Sequence, residues 1–416
     1  MRFTEEHIAD HRFGNGSALG QPPLSDPREY VLDQLEADWP APPALTFGSW
    51  REAIDWHNDL NRRRKEAQEN LDRARVEGEA AEMLAVLEQI VADVDGERVR
   101  ARVDTVVAQD AYTFWLASAV PGYVSRLAWH WANVFAVDQE PKMEWHLAGA
   151  NVVSRAVVPH VLLNYYFMLT AALKEAAVIR TLDGQKNRKG GLNENLAREV
   201  LQIYTVGPVD GAGKPNYAVD DIRAFAAALS GLNLFGEVVV DRHQEGPYLI
   251  MGQSFESLDR ILGFLAQHPQ TARTQCIRLV TGFLGTPAPE VVDACRKAWV
   301  QTGGNLKAVA AALVSSDAAW TSEAVQVLDA RTAYLKMLKM TGEAPVGLHA
   351  RSTGFRTDGA GFRYPSVFGL PEARTAREQG AGLVGVASIA QDYAQSRGAE
   401  QLDFAAKFIA PQMVYV

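Results

Sequence analysis

Between Trp50 and Asp93 the chain has no proline and one glycine, and Ala, Leu, Glu and Arg dominate, a pattern that predicts one long helix or two nearly collinear ones. At 1.5 Å per residue such a helix would reach ~65 Å, longer than a compact domain is wide, so part of it is expected to project as an arm. Within it, NRRRKEAQENLDRARVE alternates charge at helical spacing, as on a solvated, salt-bridged face or on a surface that meets a helical partner. A break at DVDGERVR is expected before helices at Val99–Val120 and Gly122–Val137, which Pro121 separates.

Residues 1–49 are punctuated by glycines and prolines, so helices there must be short, one of them at Pro27–Ala37. Beyond Pro141 come Ala- and Leu-rich helices, a basic loop at Gly184–Gly191, a helix at Asn193–Thr205, and another at Asp220–Leu232 with two acids suited to its N-terminus. The one good strand signal, EVVVDRHQEGPYLIMG, reads as an isolated hairpin over 236–252. Helical pattern continues to Met340, and residues 344–371 read as a loop too long to be a plain connector. No repeat at a fixed period is present. The expected fold is mostly α: a large multi-helix domain with one long projecting helix or helical arm and a small β-hairpin. Its parts are short helices and loops at 1–49, the arm at 50–98, a main helical domain at 99–340, and a C-terminal loop and helix at 341–416.

Composition narrows the function classes. With 416 residues, 47% hydrophobic and 22% charged, the chain is that of a folded protein with ample core. Cys276 and Cys295 cannot make a thiolate zinc cluster or a disulfide framework, and read as buried thiols in a reducing compartment. A net charge of -9 is the wrong sign for nucleic acid. The start MRFTEEHIADHRFGNG has no apolar run after a basic one, and no later stretch is long and apolar enough for a membrane span, so a cytoplasmic location is expected.

Several constellations could carry chemistry. The loop Gly184–Gly191 brings Lys186, Arg188 and Lys189 to a helix start whose free amides would suit an anion. On the helix that follows, Asn195, Arg198, Glu199 and Gln202 recur at i, i+3, i+4 and i+7 on one face, with Asn193 and Glu194 just before them. The plainer reading is a solvated basic loop and an amphipathic helix. The segment RLAWHWANVF sets Arg126, His130, Trp131 and Asn133 among aromatics, as a wall of the core or of a pocket. His243, at the expected hairpin tip, could act as acid, base or ligand, or simply be exposed. His7 and His11, i and i+4, could share a metal, but no third ligand is identifiable and no metal site is assigned. His349, Arg351, Arg356 and Arg363 lie among aromatics in the loop 344–371 and suit an anionic or sugar-like ligand, or pin that loop.

RFGNG, RLAWHWANVFAV, the PHV at 159–161, GGLNENLAREVLQIYTVG, YAVDDIRAFAAALSGLN, RHQEGPYLIMG and HPQTAR with TGGNLKAVAAAL occur in an order that resembles the bacterial family called domain of unknown function 1800. The resemblance covers most of residues 7–320, with GLNENLARE its most specific part, and matches loosely beyond about 340. It implies a mostly helical fold and supplies no activity and no cofactor. The family pattern has N-H-F, E-L-H-T-L-G and H-D-x-G-x-K where this chain has Val134, Tyr204, Gln244 and Tyr248, so two histidines, an aspartate and a lysine are replaced. Valine cannot replace a ligand or acid/base histidine, and glutamine is a poor anionic ligand.

Two functional readings follow. One is a non-catalytic binding or assembly protein, meeting a protein partner or a second copy through the helical arm, with Asn193, Asn195, Arg198 and their neighbours serving structure. The other is a hydrolase in which Glu199 or Glu194 is the general acid/base, with His243 as a further candidate. Asn193, Asn195, Arg198, Lys186, Arg188, Arg126, Asn133 and Trp131 would then bind a small anionic or sugar-like ligand. Glu194 and Glu199 would point about 140° apart on an α-helix, so one site can hardly use both.

Overall fold

The computed structural model describes residues 4–16, 23–135, 137 and 150–321. The expected loop at 344–371, with His349, Arg351, Arg356 and Arg363, and the C-terminal part at 341–416 lie outside them. The fold is mostly α, with one small hairpin. In chain order the elements are α1 (Glu5–Ile8), α2 (Pro27–Asp33), α3 (Trp50–Glu77), α4 (Ala81–Ser118), α5 (Gly122–Val134), α6 (Tyr165–Ala172), α7 (Ala176–Thr181), α8 (Asn195–Glu199) and α9 (Val219–Ala228). After them come β1 (Tyr248–Ile250), β2 (Gln253–Phe255), α10 (Leu258–Gln267), α11 (Pro269–Leu284), α12 (Pro289–Thr302) and α13 (Leu306–Ser315). Starts and stops follow local chemistry: Ser49, Ser257 and Asn305 cap helix N-termini with side-chain oxygens, Pro27, Pro269 and Pro289 open helices, and Gly78, Gly285 and Gly303 end them in left-handed conformation.

The expected collinear rod is corrected. Gly78, at φ 73, ends α3 after 28 residues, and Glu79 N–H bonds back to the Ala74 carbonyl, so the chain reverses. Helix α4 returns along α3, with Arg75 bound to Glu88 at 2.7 Å, Arg64 to Asp95 at 2.7 Å and Arg63 to Glu97 at 2.6 Å. The pairs run in opposite directions along the two helices, which makes the arm an antiparallel helical hairpin. Its buried seam of Leu60, Ala67, Leu71 and Ala74 on α3 with Val94 on α4 stands apart from the main core.

The break expected at DVDGERVR is also corrected. Helix α4 runs unbroken for 38 residues through Gly96, so the boundary expected at 98/99 falls inside one helix. A mid-helix glycine costs only about 1 kcal/mol, which the packing and ion pairs of a helix pair offset.

The hairpin is displaced too. Residues 237–239 are not a strand and Val240–Arg242 form a single 3-10 turn, while the strands pair Tyr248 with Phe255 and Ile250 with Gln253 around Met251 and Gly252. Both turn residues have positive φ, as a tight two-residue hairpin requires. His243 therefore lies in the approach to the hairpin and not at its tip.

The core joins α5, α6, α8, α9 and α10 to α13, with Trp131, Trp299, Tyr123, Tyr165, Phe225 and Phe283 fully buried. The N-terminal segment belongs to it: Phe13 packs on Trp320 at 5.0 Å between ring centroids, and the Arg12 guanidinium donates to the Ala319 carbonyl. Cys276 and Cys295 are both buried free thiols, and burial holds Cys295 up at about 12. Among the described residues no helix is long and apolar enough to cross a membrane.

Candidate functional site

The basic loop is held by one buried amide. Asn187 Nδ2 donates to the Ala226 carbonyl on α9 at 2.7 Å, its Oδ1 accepts from Asn193 N–H at 3.0 Å, and its own carbonyl accepts from Gly231 N–H at 3.0 Å. Gly184 is needed for this approach, because a Cβ there would stand 2.8 Å from Leu196 Cδ2 of α8. The loop also meets the 3-10 turn: Lys189 N–H donates to the Arg242 carbonyl at 2.7 Å, and Arg242 Nη2 to the Gln185 carbonyl at 2.8 Å. Two candidate segments some fifty residues apart in sequence, the basic loop and the stretch around His243, are thus neighbours in space.

The anion cradle expected at the start of α8 is changed by side-chain capping. Asn193 Oδ1 accepts from Asn195 N–H at 3.0 Å, and the Asn193 amide is held by Asn187, so these N–H groups already have partners. Lys186 is ion-paired with Asp183 at 2.7 Å, and Arg188 is exposed.

The expected single polar face also changes. Helix α8 is α-helical only to Glu199, and Val200–Tyr204 form a wider π turn, so Gln202 leaves the line that an unbroken α-helix would give it with Asn195, Arg198 and Glu199. Thr205 Oγ1 donates to the Val200 carbonyl at 2.7 Å and closes the turn. Glu194 sits before the first turn with Oε2 on Arg198 Nη2 at 2.9 Å and Oε1 on Arg223 Nε at 3.2 Å. Glu199 is half-buried, and desolvation raises its pKa against the opposing pull of Arg198.

Beneath the π turn lies a buried basic cluster. Arg278 Nη2 donates to the Gln202 carbonyl, and Gln275 Nε2 donates to the Ile203 carbonyl at 2.9 Å. Burial lowers Arg278 to about 10, and burial, with Arg278 and Arg126 as lesser causes, lowers His130 to about 3, so His130 is a neutral core imidazole at physiological pH. Trp131 is core, against Tyr165 at 5.3 Å and Trp299 at 6.5 Å, and Asn133 is half-buried near the end of α5.

His243 has both ring nitrogens engaged, Nδ1 at 2.8 Å from the Ser230 carbonyl and Nε2 at 3.0 Å from the Tyr248 hydroxyl. Val134 and Tyr204, at the positions where the family pattern has histidine, are both buried, and the Tyr204 ring packs on Phe135 at 4.9 Å. His7 and His11 straddle a switch from α to π geometry at Ala9, their ring centroids 6.3 Å apart. No group of three or more His, Cys, Asp or Glu among the described residues could hold a metal ion.

The site thus has one carboxylate with raised proton affinity, Glu199, one shared between two guanidiniums, Glu194, and amide and imidazole groups tied to the backbone. Asn187, Arg223, Gln275 and Arg278 were missed in the sequence. Of these, Arg278 carried a signal, a cation amid the apolar run CIRLVTGFL.

No curated protein and no solved structure matches the chain. A family model described as "Protein of unknown function (DUF1800)" matches residues 25–413. The match begins after RFGNG and reaches through the C-terminal third, farther than the motifs alone carried the resemblance. The chain belongs to this family.

Proposed function

We propose that this chain is a non-catalytic binding or assembly protein on a divergent family scaffold. The observation that carries the reading is the sharing of Glu194 between Arg198 and Arg223, beside an asparagine relay through Asn187, Asn193 and Asn195. Groups already satisfied by one another fix a fold and have little capacity left for a substrate. The engaged ring of His243 supports the same view.

One observation favours hydrolysis as a second reading: Glu199, half-buried with a raised pKa, has the character of a general acid, on the helix that follows in sequence the loop bearing Lys186 and Arg188. Its substrate would be small and anionic or sugar-like. The test is turnover by the full chain of chromogenic phosphate esters, sulfate esters and glycosides, with Glu199→Gln alongside. Equal, background rates in both proteins are expected, and turnover abolished by Glu199→Gln would overturn the assembly reading.

A further inference from the structure

Helix α4 is apolar on two faces. One packs on α3 through Val94, while the other leaves Val99 63%, Val103 55% and Val107 61% exposed. At 100° per residue this outward face lies about 140° from the α3 side. Ala85, Gln89, Ala92, Gly96, Val99 and Val103 follow one another at alternating steps of four and three, the spacing of a coiled-coil seam.

We infer that two copies of this chain pair through α4, antiparallel, on a two-fold axis between Gly96 and Val99; this rests on the assembly reading above and names its partner as a second copy.

The register follows from complementarity. Opposing Gly96 to Val99 of the second copy also opposes Ala92 to Val103, so in the central layers of the seam a small residue receives a branched one. The same register brings Val86, 56% exposed, against Val107 of the second copy. On the flanks it sets Asp93 against Arg100, Asp95 against Arg102, and Glu88 beside Gln109, each twice by symmetry. Asp95 already binds Arg64, so the first charge pair is the stronger of the two. Arg100 and Arg102 are exposed and have no carboxylate within ion-pair distance among the described residues.

Other registers fail on the same residues. Sliding one heptad either way opposes Asp93 to Asp93 and Asp95 to Asp95, or Arg100 to Arg100 and Arg102 to Arg102. Parallel pairing sets Gly96 on Gly96 and Ala92 on Ala92, a hollow seam, and brings Glu88 against Asp93. Like charges at the flanks therefore select one arrangement.

The test is sedimentation equilibrium of the full chain, with circular dichroism to verify that each variant is helical. The wild type is expected to be dimeric, Val99→Asp monomeric, and Arg100→Asp about tenfold or more weaker in dimerisation. Asp93→Arg combined with Arg100→Asp should restore the wild-type constant. A monomeric wild type, a dimer indifferent to Val99→Asp, or a double variant no tighter than Arg100→Asp would each overturn the inference. A monomer without turnover removes only the self-pairing, whereas turnover lost in Glu199→Gln removes the assembly reading whatever the mass.

Discussion

The Tyr248 hydroxyl stands 3.0 Å from His243 Nε2 and donates to the Gln244 carbonyl at 2.8 Å, which ties the hairpin strand to the segment that leads into it. Tyr248→Phe keeps the ring's packing and removes only this tie. A loss of about 1–2 kcal/mol is expected in urea unfolding, since two polar groups lose a partner. An unchanged midpoint would mean that the hydroxyl does not anchor His243.

Acidification should weaken the fold through His130. Burial depresses this imidazole from 6.5 to about 3, so below pH 6.5 the unfolded chain takes up a proton that the folded chain refuses. Stability from this group is present at neutral pH and falls as pH drops from about 6.5 toward 3, by up to about 1.4 kcal/mol per unit. His130→Gln should show a shallower decline between pH 7 and 5 than the wild type. Parallel declines in the two proteins would refute the assignment.

Two left-handed glycines should respond differently to alanine. At Gly78, φ 73, a Cβ meets nothing within 4 Å, so the arm's turn should lose only about 1 kcal/mol of conformational energy. At Gly231, φ 80, a Cβ would stand 2.7 Å from the Val239 carbonyl and 3.0 Å from His243 N, and backbone must move. Gly231→Ala should therefore cost about 3 kcal/mol or more. Thermal melts of the two variants give the comparison.

Buried and exposed members of the polar network should separate in the same way. Asn187→Ala strips partners from Ala226 and Asn193 in the interior and should cost about 2–3 kcal/mol. Glu194→Gln breaks ion pairs to exposed Arg198 and Arg223 and should cost under about 1 kcal/mol, less still at high salt. Denaturant titrations with and without 1 M salt test both, the salt level being about where screening reaches 3 Å.

Helix content was legible because periodicity and punctuation are local: Pro27, Pro269, Gly285 and Gly303 mark ends that lie where such residues stop or start helices. The arm's reversal was not legible, because one glycine in a helical run reads the same whether the chain passes through it, as at Gly96, or turns, as at Gly78. The difference lies in Arg63, Arg64 and Arg75 meeting acids of the returning helix α4, which is a tertiary fact. EVVV has strand propensity but pairs through a single antiparallel bridge, Val238 with Leu232, and the two-strand ladder formed instead where Met251 and Gly252 could turn.

The candidate site was legible as a set of residues and not as an arrangement. GLNENLARE stood out, yet the π turn that displaces Gln202 has its carbonyls met by Gln275 and Arg278, 72 and 76 residues away from their acceptors. Asn187 looked like one more polar loop residue, and only its reach to Ala226 makes it the loop's anchor.

The clasp of Phe13 and Arg12 on Trp320 and Ala319 sets a timetable for synthesis. Arg12 and its acceptor are 307 residues apart, which at ribosomal speeds is roughly tens of seconds of translation. During that interval Phe13 gains Tyr123 and then Phe283 to pack on, but the wall made by Trp320 is still missing. The segment around Phe13 can therefore lock fully into the core only after the chain has been made through Trp320, which makes its docking a late step of assembly.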